Sequence, residues 1–346
     1  MNESVIQDDK RLDPKDLTLK ISATILLALV AVWLGANLIK NPAQFFTVAI
    51  DGLKNGALYA LIALGYTMVY GIIQLINFAH GDLFMLGTMA AAFMVTTVLG
   101  ANAPGAYGAM AFVAGLIFAM AFCGSLNVGI ERFAYRRLRR APKLAPLITA
   151  VGMSFILQFV GLRWNGSGQR QWPSTLPSTK IHIGETVIDV KTLIVFAVAI
   201  PILLVLTYLV TKTRQGAAMR ATAQDQDAAR LMGIDVDRTI AFTFALGGAL
   251  AGAAGLMYQQ VVGTTAYNLG YQLGLIAFTS AVLGGIGNLT GAVLGGVLIG
   301  LIQGLNDGLT IGLGQQWSQS VVFTILILLM VFKPAGLLGK NVTEKV

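Results

Sequence analysis

Hydrophobic residues run through this chain in long blocks that recur over almost its whole length, parted by short polar intervals. A helix needs about 20 apolar residues to cross the hydrocarbon core of a bilayer. Blocks of that order lie at roughly 21–39, 47–73, 76–99, 106–130, 144–162, 190–210, 239–259, 271–287, 288–306 and 318–333. The second carries Asp51 and Lys54 near its start, and the eighth and ninth are short and meet at Gly287-Asn288. The pattern predicts an all-α, polytopic transmembrane helical bundle with about 8–10 spans. Residues 1–20 read as an N-terminal segment, 21–339 as the membrane domain and 340–346 as a tail. The run from Ile21 to Ile39 is too long for a typical signal-peptide core and is followed by no convincing small-residue cleavage site, so it predicts a first transmembrane helix.

Composition agrees. Hydrophobic residues are 55% of the 346 and charged residues 12%, with a mean hydropathy of +0.72. A soluble domain needs about twice that charge to cover its surface. The 40 glycines fit close packing of membrane helices through small residues. A net charge of +8 could suggest nucleic acid, but the cations sit between the apolar blocks, so the expected surroundings are lipid and no nucleic acid. The lone cysteine, Cys123, lies inside an apolar run and leaves no intrachain disulfide to form.

Those cations predict orientation. The loop from Glu131 to Lys143 holds Arg132, Arg136, Arg137, Arg139, Arg140 and Lys143 against one acid, and short loops of that kind stay cytoplasmic. The loop 211–238 carries Lys212, Arg214, Arg220, Arg230 and Arg238, diluted by four aspartates. Placing both loops and both termini in the cytoplasm requires even numbers of crossings between them, and the blocks supply four, two and four. Outside falls the stretch from Arg163 to Asp189, rich in Gly, Pro, Ser and Thr, with Trp164 and Trp172 placed as interfacial anchors.

Three constellations carry candidate chemistry. In GIIQLINFAHGDLFMLG, from Gly71 to Gly87, Asn77, His80 and Asp82 interrupt sequence apolar enough for two spans. Ionisable residues at membrane depth usually face a cavity or a partner, and Gly81 would let the backbone break there and expose peptide groups to a polar solute. The alternative is an aqueous turn with His80 at the surface. In GAAMRATAQDQDAARLMGIDVDR, from Gly216 to Arg238, helical spacing brings Ala217, Ala221, Ala228, Leu231 and Met232 onto one arc, with Arg220, Asp225, Asp227 and Arg230 off it and Gly216 and Gly233 at the ends. A short helix of that design suits a groove in a soluble partner; the alternative is a solvated helix on the membrane surface. In LGGIGNLTGAVLGGVLIGLIQG, Gly291 and Gly295, then Gly296, Gly300 and Gly304, recur four apart, as do Gly248 and Gly252, a spacing that packs helices. Asn288 and Gly291 echo Asn77 and Gly81, which makes Asn288 a further pathway candidate and an internal duplication with parallel copies conceivable.

Absences narrow the chemistry. The nearest approach to a P-loop is PAGLLGKN, where Pro334 replaces the first Gly and Asn341 the Ser/Thr. No HExxH, CxxC or GxSxG motif is present, and two histidines with one cysteine make a catalytic metal a poor expectation. The chain is expected to be no enzyme and to bind no cofactor. Asp51, Asp82 and Asp307 could relay protons in an ion-coupled transporter, but all three lie near predicted span ends, where interfacial exposure accounts for them.

Taken together, GALYALIALGYTMVYGIIQLINFAHGDLFMLG resembles the early signature of the membrane subunit of branched-chain amino acid ABC importers, with the INFAHG core at Ile76 to Gly81. RATAQDQDAARLMGID resembles that family's EAA coupling loop, with Asp227-Ala228-Ala229 and Gly233 filling EAA-x3-G, though the Ile-x-Leu-Pro ending of the fuller consensus is missing. The resemblance resumes in AFTFALGGALAGAAG, in LGGIGNLTGAVLGGVLIG and in KPAGLLG, and spans residues 45 to 339. It implies a bacterial inner-membrane permease subunit that moves branched-chain or other small neutral amino acids by alternating access. It also implies an extracytoplasmic binding protein, a paralogous second permease and two cytoplasmic ATPases that bind the ATP. Related permeases carry urea, short amides and monosaccharides. By this resemblance Arg220, Asp227, Ala228, Ala229, Arg230, Leu231 and Gly233 would meet the ATPase, and Asn77, His80, Gly81, Asp82 and Asn288 would line the pathway.

Overall fold

A computed structural model of the chain describes residues 14–139, 141, 142 and 144–339, without the side chains of 14–23 and 25–27. Most of the N-terminal segment, Arg140, Lys143 and the tail after Gly339 lie outside the described residues. The described chain is almost entirely helical: α1 (Pro14–Lys40), α2 (Pro42–Ile73), α3 (His80–Ala92), α4 (Ala106–Ile130), α5 (Leu144–Asn165), α6 (Val190–Lys212), α7 (Arg214–Gln224), α8 (Gln226–Leu231), α9 (Val236–Val262), α10 (Leu269–Gly284), α11 (Leu289–Gly308) and α12 (Ser318–Phe332). A π-helical turn, Phe93–Val98, lengthens α3, and π and 3-10 turns carry α4 on to Leu138. Among the described residues eight helices are long and apolar enough to cross a membrane, and two shorter apolar stretches, Ala28–Lys40 and α10, bring the total to the upper end of the expected range.

Local signals in the sequence set the boundaries. Asn41 caps α2 by accepting from Gln44 N at 3.0 Å, with Pro42 at the first helical position. Asp189, Asp225, Asp235 and Asn288 cap α6, α8, α9 and α11 in the same way. Gly263, at φ +75°, ends α9 in the left-handed region.

Small residues set how closely the central helices approach. Gly52, Gly56 and Ala60 of α2 meet Gly304, Gly300 and Gly296 of the antiparallel α11, and a Cβ on Gly300 would stand 2.2 Å from Gly56 N. Gly248 and Gly252 of α9 press on Cys123 and Ala119 of α4, where Cys123 Sγ donates to Leu83 O at 3.3 Å. The glycine repeats therefore pack helices, as their spacing predicts. Helices α2, α3 and α9 form the buried centre. Helices α5, α6 and α12 turn apolar side chains such as Ile148, Phe159, Leu204 and Val331 outward, a surface that lipid covers.

Contacts between loops sort the helix ends onto two faces. On one face Tyr135 Oη donates to Asn77 Oδ1 at 2.8 Å, Arg136 and Arg139 pair with Asp237, and Leu337 N donates to Leu283 O at 2.8 Å. On the other, Asn37 meets Ile311, Gln44 donates to Gly308 O at 2.7 Å, and Val187 N donates to Thr47 Oγ1 at 3.2 Å. The loops after α4 and α6 and the segment after α12 thus share one face, in line with the even crossing counts. The opposite face holds the short structure of 166–189: β1 (Arg170–Gln171) pairs with β4 (Thr264–Thr265), and β2 (Lys180–Ile183) pairs with β3 (Thr186–Asp189). Trp172 is pinned there by its Nε1 to Thr265 Oγ1 at 2.9 Å.

Candidate functional site: a broken polar segment beside a cavity

Helix α2 stops where Gln74 enters the left-handed region at φ 52°, and residues 74–79 run on without helical structure before α3 begins at His80. The break lies within the bundle. Asn77, His80 and Asp82 are 3%, 0% and 1% exposed, which excludes an aqueous turn with His80 at the surface. Interfacial exposure fails as an account of Asp82 for the same reason, since its partner Ser154 sits near the middle of α5. It holds for Asp51, which is half exposed and paired with Lys54 at 2.7 Å, and for the exposed Asp307.

Two glycines make the break possible. A Cβ on Gly65 would stand 2.3 Å from His80 Nε2, so its absence is the niche that holds the imidazole. A Cβ on Gly81 would stand 2.3 Å from Gly270 O and 2.7 Å from Gly274 Cα, so α3 crosses α10 with backbone nearly touching backbone. The His80 ring meets Tyr66 edge-on at 4.7 Å between centroids and lies toward the Ile62 carbonyl, with neither nitrogen in a hydrogen bond of regular geometry. Asn77 accepts from Tyr135 through Oδ1 and leaves its amide nitrogen unpartnered. Asp82 Oδ2 accepts from Ser154 Oγ, and Gln158 Nε2 donates to the same Oγ at 3.1 Å. Buried polar groups left this incompletely paired are costly, and they mark a place shaped by something other than stability.

A cavity of about 540 Å³ opens beside this segment. Ser154, Gln158, Val151 and Phe155 of α5 form one wall, and Gly270, Tyr271, Gly274 and Leu275 of α10 the other, with Tyr66 and Phe78 behind. It is large enough for an organic solute of modest size. Asn288 lies elsewhere: it caps α11 through Gly291 N at 3.2 Å and donates to Leu338 O at 2.8 Å, so its side chain is occupied with the turn before α11.

The predicted amphipathic helix is two helices. Asp225 leaves the helical region at φ −157° and caps α8 by accepting from Asp227 N and Ala228 N at 2.8 and 2.9 Å. Gly216, Met219 and Thr222 bury one side of α7, and Arg220 holds the Val210 carbonyl at the end of α6. On α8, Ala229 is buried at 3% and packs against this chain's own helices, so it seats α8 and presents nothing outward. Leu231 and Met232 project, 89% and 82% exposed, beside Ala228 and an Asp227–Arg230 pair at 2.8 Å. Gly233, at φ +81°, closes the turn.

Ser154, Gln158, Tyr66, Gly65 and Tyr135 are the site residues that the sequence reading passes over. A signal exists for two of them: Ser154 and Gln158 are polar residues four apart on an apolar span, hence on one helix face.

A multi-pass bundle whose interior is broken by polar residues next to a solute-sized cavity, with short helices projecting from one face, has the build of a transport permease. The chain belongs to the branched-chain amino acid transport system / permease component family, whose model matches residues 48–331. It is 39% identical over 304 residues to the high-affinity branched-chain amino acid transport system permease protein BraD of Pseudomonas aeruginosa, covering 86% of this chain and 96% of that one. It is 37% identical over 306 residues to the corresponding protein LivH of Escherichia coli K12, covering 87% and 98%. Among solved structures, PsaBC from Streptococcus pneumoniae in complex with Fab aligns over 88% of this chain and 96% of its own, at a TM-score of 0.44 and 14% identity.

Proposed function

We propose that this chain is the permease subunit of a binding-protein-dependent ABC importer in a bacterial inner membrane, moving branched-chain or other small neutral amino acids. The observation that carries the reading is α8: a short capped helix that turns Leu231 and Met232 into solvent next to a surface ion pair. Two adjacent exposed apolar side chains on a rigid, charged mount are the expected form of a docking knob. Two ATPase subunits would take it and its counterpart, bind the ATP and supply the energy, so that this chain binds no cofactor of its own. Ala228, Arg230, Leu231 and Met232 would make that contact, while Arg220, Ala229 and Gly233 hold α7 and α8 in position.

The face that bears α8 is the cytoplasmic one in this reading, because Arg132, Arg136, Arg137 and Arg139 lie on it. The described end of the chain at Gly339 is on the same side, and residues 166–189 face the binding protein. A paralogous second permease would cover the open side of the cavity between α5 and α10, so that each chain supplies half of the pathway. The apolar cavity walls favour a solute with an aliphatic side chain over urea or a short amide.

The test is ATP-driven uptake of radiolabelled leucine by proteoliposomes holding the assembled transporter. Leu231→Asp together with Met232→Asp is expected to abolish uptake and ATPase capture while the chain stays in the membrane at normal abundance. Unchanged capture and uptake would sink the docking assignment. Uptake without ATPase subunits, collapsed by a protonophore, would instead establish an ion-coupled transporter.

A further inference from the structure

The polar end of the cavity has a fixed sense, which follows from counting hydrogens. With Asp82 ionised, its carboxylate only accepts, and a serine hydroxyl has one proton to give. Ser154 gives that proton to Asp82 Oδ2, so its oxygen can only accept from Gln158. Gln158 must therefore turn its amide nitrogen toward Ser154, at 3.1 Å. Its carbonyl oxygen is left for the cavity, which Gln158 and Ser154 both line. Behind them Asp82 is 1% exposed, its Oδ1 has no partner, and it is roofed by Gly270, where a Cβ would stand 2.7 Å from that oxygen. An ionised Asp82, which pairs with no cation among the described residues, would project its field through that wall into the cavity. Phe78, Val151, Phe155 and Leu275 make most of the remaining lining apolar, with Tyr66 and Tyr271 beside them.

We propose that Asp82 is ionised and that this cavity receives the ammonium group of a zwitterionic amino acid at the Gln158 carbonyl oxygen and its aliphatic side chain on the apolar part of the lining, with Asp82 as the positioning residue that fixes the amide and supplies the charge. The proposal rests on the permease reading and deepens it. It separates amino acids from organic acids of the same shape, because an anion without an ammonium group meets an acceptor and a buried negative charge.

Ligand protection of an introduced thiol tests it. The native Cys123 is buried and leaves the background low. In the assembled transporter, with the binding protein withheld, Val151→Cys and separately Leu275→Cys are labelled with N-ethylmaleimide in the presence of leucine, isoamylamine (which lacks the carboxylate) or isocaproate (which lacks the ammonium). Leucine and isoamylamine are expected to protect both positions, and isocaproate neither. Added Gln158→Leu and, separately, Gln158→Met should each weaken protection by leucine at least about tenfold, as expected for loss of a charge-assisted hydrogen bond. Asp82→Asn should erase the preference for leucine over isocaproate, which a merely structural role for Asp82 would not do. Where Asp82→Asn prevents assembly, the two Gln158 variants decide the matter. Equal protection by isocaproate, or no protection by any compound at both positions, overturns the site. Wild-type leucine uptake that persists in either case leaves the permease reading standing, and its absence overturns both.

Discussion

Two turns on the same face of the bundle, 74–82 and 285–291, begin from similar material and end differently. Each joins a helix running toward that face to one running away from it, and each sets an asparagine shortly before a glycine. At the second turn the Asn288 side chain is fully spoken for: it caps α11 and holds Leu338 O, while Leu337 N and Leu338 N donate to Leu283 O and Gly284 O. At the first, the chain climbs into the bundle and leaves the Asn77 amide nitrogen, both His80 nitrogens and Asp82 Oδ1 without regular partners. Each such orphan costs about 1–3 kcal/mol, so the first turn is held against its own local stability by glycine-mediated packing around it. A repeated sequence pattern can thus build a buried polar break in one place and a helix cap in another.

Four substitutions bear on that contrast, from the largest expected effect to the smallest. Gly81→Val drives a branched carbon into Gly270 O and Gly274 Cα, which are backbone and cannot step aside. Leucine uptake should vanish and membrane-inserted protein should fall sharply on immunoblots. Gly65→Ala meets first the tip of the His80 ring, with the Gly247 carbonyl oxygen next at 3.1 Å. The chain should stay in the membrane, and uptake should drop by up to about 100-fold through misplacement of the break; normal uptake would remove His80 and its niche from the mechanism. Asn77→Ala strands the buried Tyr135 hydroxyl and should cost ~1–3 kcal/mol, read as the temperature at which Cys123 becomes reactive. Adding Tyr135→Phe should recover part of that stability without recovering uptake. Asn288→Ala removes a cap and should cost about 1 kcal/mol with uptake retained. If it lowered uptake as far as Asn77→Ala does, the distinction between the two turns would collapse.

The spans, their alternation between faces and the packing role of the glycines were legible because each depends on local composition and spacing. Block length sets a crossing, and a four-residue spacing sets a helix face. The polar break at Asn77, His80 and Asp82 was legible as an anomaly, but its depth was not. Depth depends on Gly65 and Gly270, remote in sequence and informative only once α2, α3 and α10 are packed. The division of 214–231 into α7 and α8 turns on one capping choice by Asp225, which helical periodicity averages over. Ala229 falls inward and Leu231 outward for the same reason, since a break resets the phase of every residue after it. The capping of α11 by Asn288 was masked by its likeness to Asn77, because one of its partners, Leu338, comes fifty residues later.

The joint between the end of α4 and the start of α9 has one more consequence. Glu131, Arg139, Asp237 and Arg136 form a chain of alternating charge there, and its two ends differ in contact with water. Glu131 and Arg139 are 2% and 11% exposed, whereas Arg136 and Asp237 are 43% and 41% exposed. Mobile ions screen charges in water over about 10 Å at 0.1 M salt but do little for a buried pair. Added electrolyte therefore loosens the Arg136 end and leaves the Glu131 end attached. The exposed edge of the joint, a few residues from α8, should therefore answer to the ionic strength on that side of the membrane while the buried edge does not.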